Sequence, residues 1–291
     1  MEGREVLLRG EAAREQGSFF SRGEAASEGG EATEASFRFH GFEGFAWRSV
    51  VGVIVATQLA VYFASMWLVT PRGLLSPSAG ANFKLGSTNG VAELCGVRDD
   101  FPRHAWELRR WLVPIFLHGS PMHIMLNCYF ECSSGPRIEA AVGSVFFFLL
   151  FFGAGLSGNL LSDAFGVNAV GGSTACYGII GMEFAGWYKQ WPDFSEDHRA
   201  AVKQYALRTC GMLLAWEVIF WKEIDHFGHL GGFIGGFLIV LGRVNWRWWA
   251  LYGFVACACI YVICVKPLSS ELINGVPWKS ACAGVWASYK Q

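Results

Sequence analysis

The sequence predicts an all-α polytopic membrane protein, and its composition carries this prediction. Of the 291 residues, 53% are apolar and only 16% are charged, whereas a soluble domain carries about a quarter charged residues. The apolar residues are concentrated in blocks, and about 20 apolar residues in a helix cross a hydrocarbon core about 30 Å thick. The blocks are too long and too continuous for the alternating pattern of a membrane β-barrel.

Seven blocks are predicted to be membrane-spanning helices. The first has no charged residue, whereas the fifth contains Arg208 and Glu217. In chain order the predicted spans cover residues 50–69, 111–130, 141–161, 169–188, 205–221, 226–242 and 248–265. They divide the chain into a six-helix region of residues 47–244, a seventh helix at 245–266, and a terminal segment on either side.

The two terminal segments are predicted to be tails. Residues 1–46 are rich in Glu, Arg, Gly, Ala and Ser, cannot bury a core, and are expected to be disordered. They lack the apolar region of a secretory signal, and their glutamates argue against a mitochondrial transit peptide. The first span is therefore expected to act as the insertion signal, and residues 267–291 to form a C-terminal tail.

The distribution of basic residues predicts the orientation in the membrane, because Lys and Arg favour short cytoplasmic loops. If residues 1–46 are cytoplasmic, the short outer loops carry little basic charge beyond Lys222, and the inner loops carry Arg137, Lys189, Arg199, Lys203, Arg208, Arg243 and Arg247. The first loop, 70–110, is also basic, but long loops weigh less. We therefore predict a multi-pass protein of the secretory pathway or plasma membrane with a cytoplasmic N-terminus.

Two cysteines differ in placement from the rest. Seven of the nine cysteines lie within or at the ends of predicted spans, where cysteine acts as a small apolar residue. Cys95 and Cys282 fall in loops on the predicted outer face. Because that face is oxidising, a disulfide between them is a hypothesis of the sequence.

The second predicted span contains two histidines and an asparagine, and such residues within a bilayer need a partner or a role. His123 and Asn127 are one turn apart and share a helix face. His118 is turned from His123 by about 140°, which is poor spacing for a shared metal, and no metal-binding motif is present. We therefore expect no metal or other cofactor.

The fourth predicted span opens with Gly171-Gly172-Ser173. A serine in a membrane helix usually packs against a neighbour or bonds to its own preceding turn. Here two glycines expose backbone N–H groups at a helix start, where developing negative charge is favoured. Tyr177 follows one turn later on the same face, so Ser173 is a candidate nucleophile.

The sixth predicted span contains His226 and His229 and glycines spaced by four residues, Gly228, Gly231, Gly232, Gly235 and Gly236. This spacing lets another helix approach closely, although it is common in membrane bundles and the histidines could be satisfied interior residues. A serine and a histidine on different helices need such an approach to come within about 3 Å. Ser173 and His229 also lie at similar depths below the outer face.

In this order, the three motifs resemble those of the rhomboid proteases. The family's His-x4-His-x3-Asn pattern is similar to His118, His123 and Asn127, and its Gly-x-Ser pattern to Gly171-Gly172-Ser173. Its aromatic residue that stacks on the catalytic histidine corresponds to Tyr177, and its sixth-helix pattern to His229, Gly232 and Gly236. The resemblance covers Arg109 to about Gly242, and the seventh helix is similar to that of many eukaryotic members.

The resemblance implies an intramembrane serine endopeptidase with a six-helix catalytic core. Ser173 would attack the scissile carbonyl and His229 would take and return the proton, without a carboxylate as third member. His123, Asn127 and the backbone around Gly172 and Ser173 would hold the oxyanion, and His118 would be a supporting residue. The family's substrates are single-span membrane proteins, which are cut near the lumenal or extracellular end of the span.

The chain departs from the family pattern at two positions. Thr174 follows the candidate nucleophile where the family usually has glycine, and it could narrow the pocket. The family's Trp-Arg pair in the first loop is represented only by Arg109-Arg110-Trp111, so we assign the role of its arginine to Arg110. Neither departure removes the serine and histidine.

Two other functions stay open from the sequence. A transporter or channel would use a polar path of His123, Asn127, Glu183, Glu217 and Asp225, although we find no inverted repeat. A non-catalytic rhomboid-like protein would bind client proteins, although such proteins usually lack the serine or the histidine. No basic block indicates nucleic-acid binding, so the expected partners are single-span substrates and the lipid bilayer. The sequence does not define the physiological substrate, the organelle or the oligomeric state.

Overall fold

The computed structural model describes residues 45–68, 76–98, 104–265, 272–273 and 276–289, so nearly all of the predicted tail 1–46 lies outside the described residues. The helices are α1 (Val50–Leu68), α2 (Ala79–Leu85), α3 (Gly90–Arg98), α4 (Pro121–Val142), α5 (Ser144–Ala164), α6 (Ser173–Gln190), α7 (Glu196–Ile219), α8 (His226–Gly242), α9 (Trp246–Ile260) and α10 (Trp278–Ser288). Short 3-10 turns lie at Ala105–Trp111, Val113–Phe116 and Trp191–Asp193, and a π turn, Tyr261–Val265, continues α9. Strands β1 (Leu272–Ile273) and β2 (Val276–Pro277) pair antiparallel.

The predicted all-α membrane class is confirmed. In the described part of the chain, three segments are long and apolar enough to cross a membrane by themselves, namely Val50–Trp67, Ser144–Ala164 and Trp246–Ile263. Helix α8 is also apolar but shorter. The other long helices, α4, α6 and α7, carry polar groups of the second, fourth and fifth predicted spans.

The predicted start of the second span, at residue 111, is wrong, because the helix begins ten residues later. The chain forms 3-10 turns through Phe116, and α4 begins only at Pro121. The Ser120 side chain accepts a hydrogen bond from the His123 N–H at 3.2 Å and caps the helix, and a proline at the first helical position loses no hydrogen bond. His123 therefore lies in the first turn of α4 rather than deep along a longer helix.

Helices α5, α6 and α8 form the centre of the bundle, and glycine permits their close contact. A Cβ atom added at Gly232 would lie 1.9 Å from the Thr174 carbonyl oxygen, and one at Gly236 would lie 1.9 Å from the Gly178 carbonyl oxygen. No real side chain fits at such distances, so α6 and α8 touch backbone to backbone. The close approach that the glycine spacing predicts is present, and it brings the first turns of α6 and α8 side by side.

The predicted disulfide between Cys95 and Cys282 is confirmed. It joins α3, in the first loop, to α10, and both cysteines are buried. Trp278, Trp286 and Tyr289 pack around it. Residues 276–289, which are predicted to belong to a tail, are therefore folded against the first loop.

Breaking this disulfide is expected to destabilise the protein. It links residues 187 positions apart, and loss of a native disulfide typically costs about 2 to 5 kcal/mol. The variant Cys282→Ser should therefore melt several degrees below the parent protein in detergent. Cys210→Ser, which changes an exposed free cysteine, is the matched control, and equal melting temperatures of the two variants would contradict this role.

Candidate active site

Ser173 is the first residue of α6, and Gly171 and Gly172 form the turn that leads into the helix. Gly171 has a φ of +131°, a conformation that side chains disfavour. The Gly171 N–H donates to the Pro114 carbonyl at 2.9 Å, which ties this turn to the segment preceding α4. The first N–H groups of α6 have no partner within the helix, and the helix dipole favours negative charge at this end.

The structure brings Ser173 and His229 into contact. The Ser173 Oγ lies 2.9 Å from the His229 Nε2. His229 is buried in the first turn of α8, where the Asp225 side chain caps the helix by accepting from the Gly228 N–H at 2.8 Å. The Tyr177 ring stacks on the imidazole, with centroids 4.0 Å apart and ring planes 13° apart. A hydroxyl at this distance from an imidazole nitrogen has the geometry of a nucleophile with its base.

A carboxylate lies on the other side of this imidazole, which differs from the sequence expectation of a pair without a third member. Glu217, near the end of α7, places its Oε1 2.5 Å from the His229 Nδ1. The Tyr177 hydroxyl donates to the same oxygen at 2.7 Å, and the His226 Nδ1 contacts the Oε2. In the sequence, only the residue type of Glu217 indicated a role, because an ionisable group in an apolar span needs a partner.

His123 and Asn127 lie beside the turn that precedes Ser173. A Cβ atom added at Gly171 would be 2.5 Å from the His123 Nε2 and 3.5 Å from the Asn127 Nδ2. Among the described residues, the Asn127 Nδ2 is one of the buried side-chain nitrogens that make no hydrogen bond. An imidazole and an unpaired amide beside Gly171, two residues before the serine, are suitable donors for a developing oxyanion.

Gly172 is enclosed by a polar pair that sequence reasoning missed. A Cβ atom at Gly172 would lie 2.6 Å from the Gln58 Nε2 and 2.8 Å from the Glu131 Oε1. Gln58 donates to Glu131 at 2.9 Å and to the Ile115 carbonyl at 3.2 Å. These buried contacts join α1 and α4 behind the turn and hold it against the start of α6.

His118 and Arg110, the other two supporting residues, lie in different places. His118 is buried with its ring centroid 5.1 Å from that of His123, so it packs edge-on against that histidine. Arg110 is buried in the first loop, where its guanidinium donates to Glu107 at 2.6 Å, to the Ser87 carbonyl at 2.7 Å and to the Tyr289 hydroxyl at 2.5 Å. These contacts are with the first loop and the residue after α10 rather than with the serine and histidine.

Thr174 packs into the interface between helices. A Cβ atom added at Gly158 of α5 would lie 2.7 Å from the Thr174 Cβ, and one at Gly228 of α8 would lie 3.1 Å from the Thr174 Cγ2. The threonine side chain is buried. It therefore fills the junction of α5, α6 and α8, whereas the sequence suggested that it narrows the pocket beside Ser173.

Comparisons with known proteins agree with the motif resemblance. A family model described as the rhomboid domain matches residues 105–246. The chain is 31% identical over 215 residues to Rhomboid-like protease 3 of Toxoplasma gondii, covering 72% of this chain and 75% of the relative. It is 30% identical over 201 residues to Rhomboid-like protease 1 of the same organism, covering 68% and 64%. It is 30% identical over 161 residues to RHOMBOID-like protein 1 of Arabidopsis thaliana, covering 53% and 40%.

Proposed function

Because the chain belongs to the rhomboid family, we propose that it is an intramembrane serine endopeptidase whose nucleophile is Ser173 and whose base is His229. The observation that carries this proposal is the distance of 2.9 Å between the Ser173 Oγ and the His229 Nε2. The two groups come from different helices of a membrane bundle, and each lies in the first turn of its helix. A site at the helix ends can receive water, which hydrolysis requires.

The proposed reaction has two halves. The Ser173 Oγ attacks the scissile carbonyl carbon while the His229 Nε2 takes the hydroxyl proton, which it then gives to the departing amine. Water next attacks the acyl-enzyme with His229 again as base, which releases the acid and restores the serine. We assign three hydrogen-bond donors to the oxyanion, namely His123, Asn127 and the Ser173 N–H. They border the turn at Gly171 and Gly172, beside which the negative charge of the tetrahedral intermediate would develop.

We propose single-span membrane proteins as substrates, cut near the lumenal or extracellular end of the span. A transmembrane helix must unwind before its peptide bond can enter the site, and residues that loosen the helix lower this cost. The disulfide supports the orientation with a cytoplasmic N-terminus, because disulfides persist in oxidising compartments. Cys95 lies in the loop that leads into α4, so the first turn of α4 faces that same compartment.

The function is tested with the full-length protein in liposomes, together with single-span substrates that carry helix-loosening residues near one end. We expect two products whose new termini, identified by mass spectrometry, lie near the outer end of the span. A fluorophosphonate probe should also label the protein at Ser173. Binding of substrate without cleavage or labelling would contradict the protease proposal and favour the client-binding alternative.

Loss of a proposed oxyanion donor is expected to slow cleavage without abolishing it. His123→Ala and Asn127→Ala should each lower kcat by about 10² to 10³, the typical effect of removing one such donor. The expected change is in kcat because the donor contacts the oxyanion only as the tetrahedral intermediate forms. His198→Ala, in an exposed part of α7, is the matched histidine control, and donor variants as active as this control would refute the assignment.

A further inference from the structure

We infer that Glu217 is a positioning residue of the active site, so that the serine and histidine work within a Ser-His-Glu triad. This inference rests on the proposed function and adds a third member to its catalytic pair. The Glu217 Oε1 lies 2.5 Å from the His229 Nδ1, and the other ring nitrogen, Nε2, lies 2.9 Å from the Ser173 Oγ.

The carboxylate selects the proton arrangement that the reaction needs. A neutral imidazole carries one N–H, and a carboxylate can only accept a hydrogen bond. The His229 Nδ1 beside Glu217 therefore carries the proton, and the Nε2 is left with a free electron pair toward the Ser173 hydroxyl. When the Nε2 takes the serine proton, the imidazolium forms beside a negative charge that stabilises it, and Glu217 itself stays unprotonated.

Other groups hold the carboxylate in this position. The Tyr177 hydroxyl donates to the Oε1 at 2.7 Å, and the Tyr177 ring stacks on His229, so one side chain orients both partners. His226 contacts the other oxygen, Oε2, and its Nε2 lies 2.9 Å from the Trp221 carbonyl oxygen. The Glu217 side chain is 17% exposed, which leaves it open to small solutes.

The same contacts could instead serve only to hold α7 on the bundle. None of the residues in α7 is buried, so its attachment depends on contacts at partly exposed side chains such as Glu217. The two roles differ in what the loss of Glu217 changes. If Glu217 only holds α7 in place, its loss shifts the whole helix and should alter substrate binding. If Glu217 positions His229, its loss changes the tautomer and orientation of that imidazole and leaves substrate binding intact.

The primary test is Glu217→Gln, which keeps the size of the side chain and removes its charge. We expect kcat to fall by about 10² or more, in the direction found when the carboxylate of a hydrolase triad becomes an amide, while KM stays within about twofold. Substrate binding, measured in a Ser173→Ala background, should be unchanged. Glu223→Gln, which changes an exposed glutamate just beyond α7, should leave kcat unchanged.

A second variant separates the chemical role from folding. In Glu217→Ala, added formate should raise the cleavage rate at least about tenfold by supplying a carboxylate beside His229, whereas formamide should not. His226→Ala, which removes the contact to the other oxygen, should lower kcat far less than Glu217→Gln. Melting temperature and the intact disulfide report whether each variant is folded.

The inference is overturned if Glu217→Gln keeps kcat within about threefold of the parent value, or if its loss appears in KM and substrate binding. It is equally overturned if formate restores nothing in the folded Glu217→Ala variant. These results would leave the protease itself in place, provided that Ser173→Ala is inactive. Cleavage by Ser173→Ala would instead refute the proposed function.

Discussion

Replacing Ser173 with alanine is expected to leave the protein folded and inserted but to lower its cleavage rate by at least about 10⁴, because loss of a hydrolase nucleophile typically costs this much or more. The substitution removes only one hydroxyl, which makes a 2.9 Å contact with His229 and lies at the open start of α6. The rate is measured as the appearance of the cut substrate in liposomes. The fluorophosphonate label should disappear with it.

A control variant at another serine and a variant of His229 test whether the loss is specific to the proposed pair. Ser133→Ala removes a membrane-helix hydroxyl that bonds within its own helix, to the Phe130 carbonyl at 3.1 Å, and should keep activity within about twofold. His229→Ala should match the loss of Ser173→Ala, and the double variant should be no worse than either, because residues that act as a unit are not additive. Cleavage by either single variant would refute the proposed pair.

Enlarging Gly236 by a single methyl group is expected to disable the enzyme from a distance. Its Cβ atom would lie 1.9 Å from the Gly178 carbonyl oxygen, so α6 and α8 must move apart by more than about 1 Å to restore an ordinary contact. Misplacement of reacting groups by about 1 Å can lower a rate by about 10². Gly236→Ala should therefore lower both the cleavage rate and the melting temperature.

The control for this prediction is another helical glycine. A Cβ atom at Gly253 of α9 would meet no atom within 4 Å, so Gly253→Ala should keep the parent activity and melting temperature. Gly236 lies two turns beyond His229 in α8, and the expected loss of rate therefore reports helix packing rather than a contact with substrate. Parent-like activity in Gly236→Ala would show that the α6–α8 interface tolerates expansion.

Much of the site could be predicted because its signals are local in sequence. Two glycines before Ser173, an aromatic residue one turn after it, and glycines spaced by four after His229 each describe one helix and one face. Helical periodicity converts such spacing into position. The start of α4 could not be placed in the same way, because an apolar run already begins at Trp111 while Ser120 and Pro121 determine where the helix begins.

The sequence by itself determined the membrane class and the three chemical motifs, because apolar block length and residue spacing are properties of the chain order. It raised the pairing of Cys95 with Cys282 only as a hypothesis, which the structure confirmed. Only the tertiary structure decided that Glu217 contacts His229, that Gln58 and Glu131 support the turn at Gly172, and that α10 covers the first loop. These contacts join side chains from different helices. No spacing along the chain encodes them, since helix rotation and interhelical distance arise from the packing of the whole bundle.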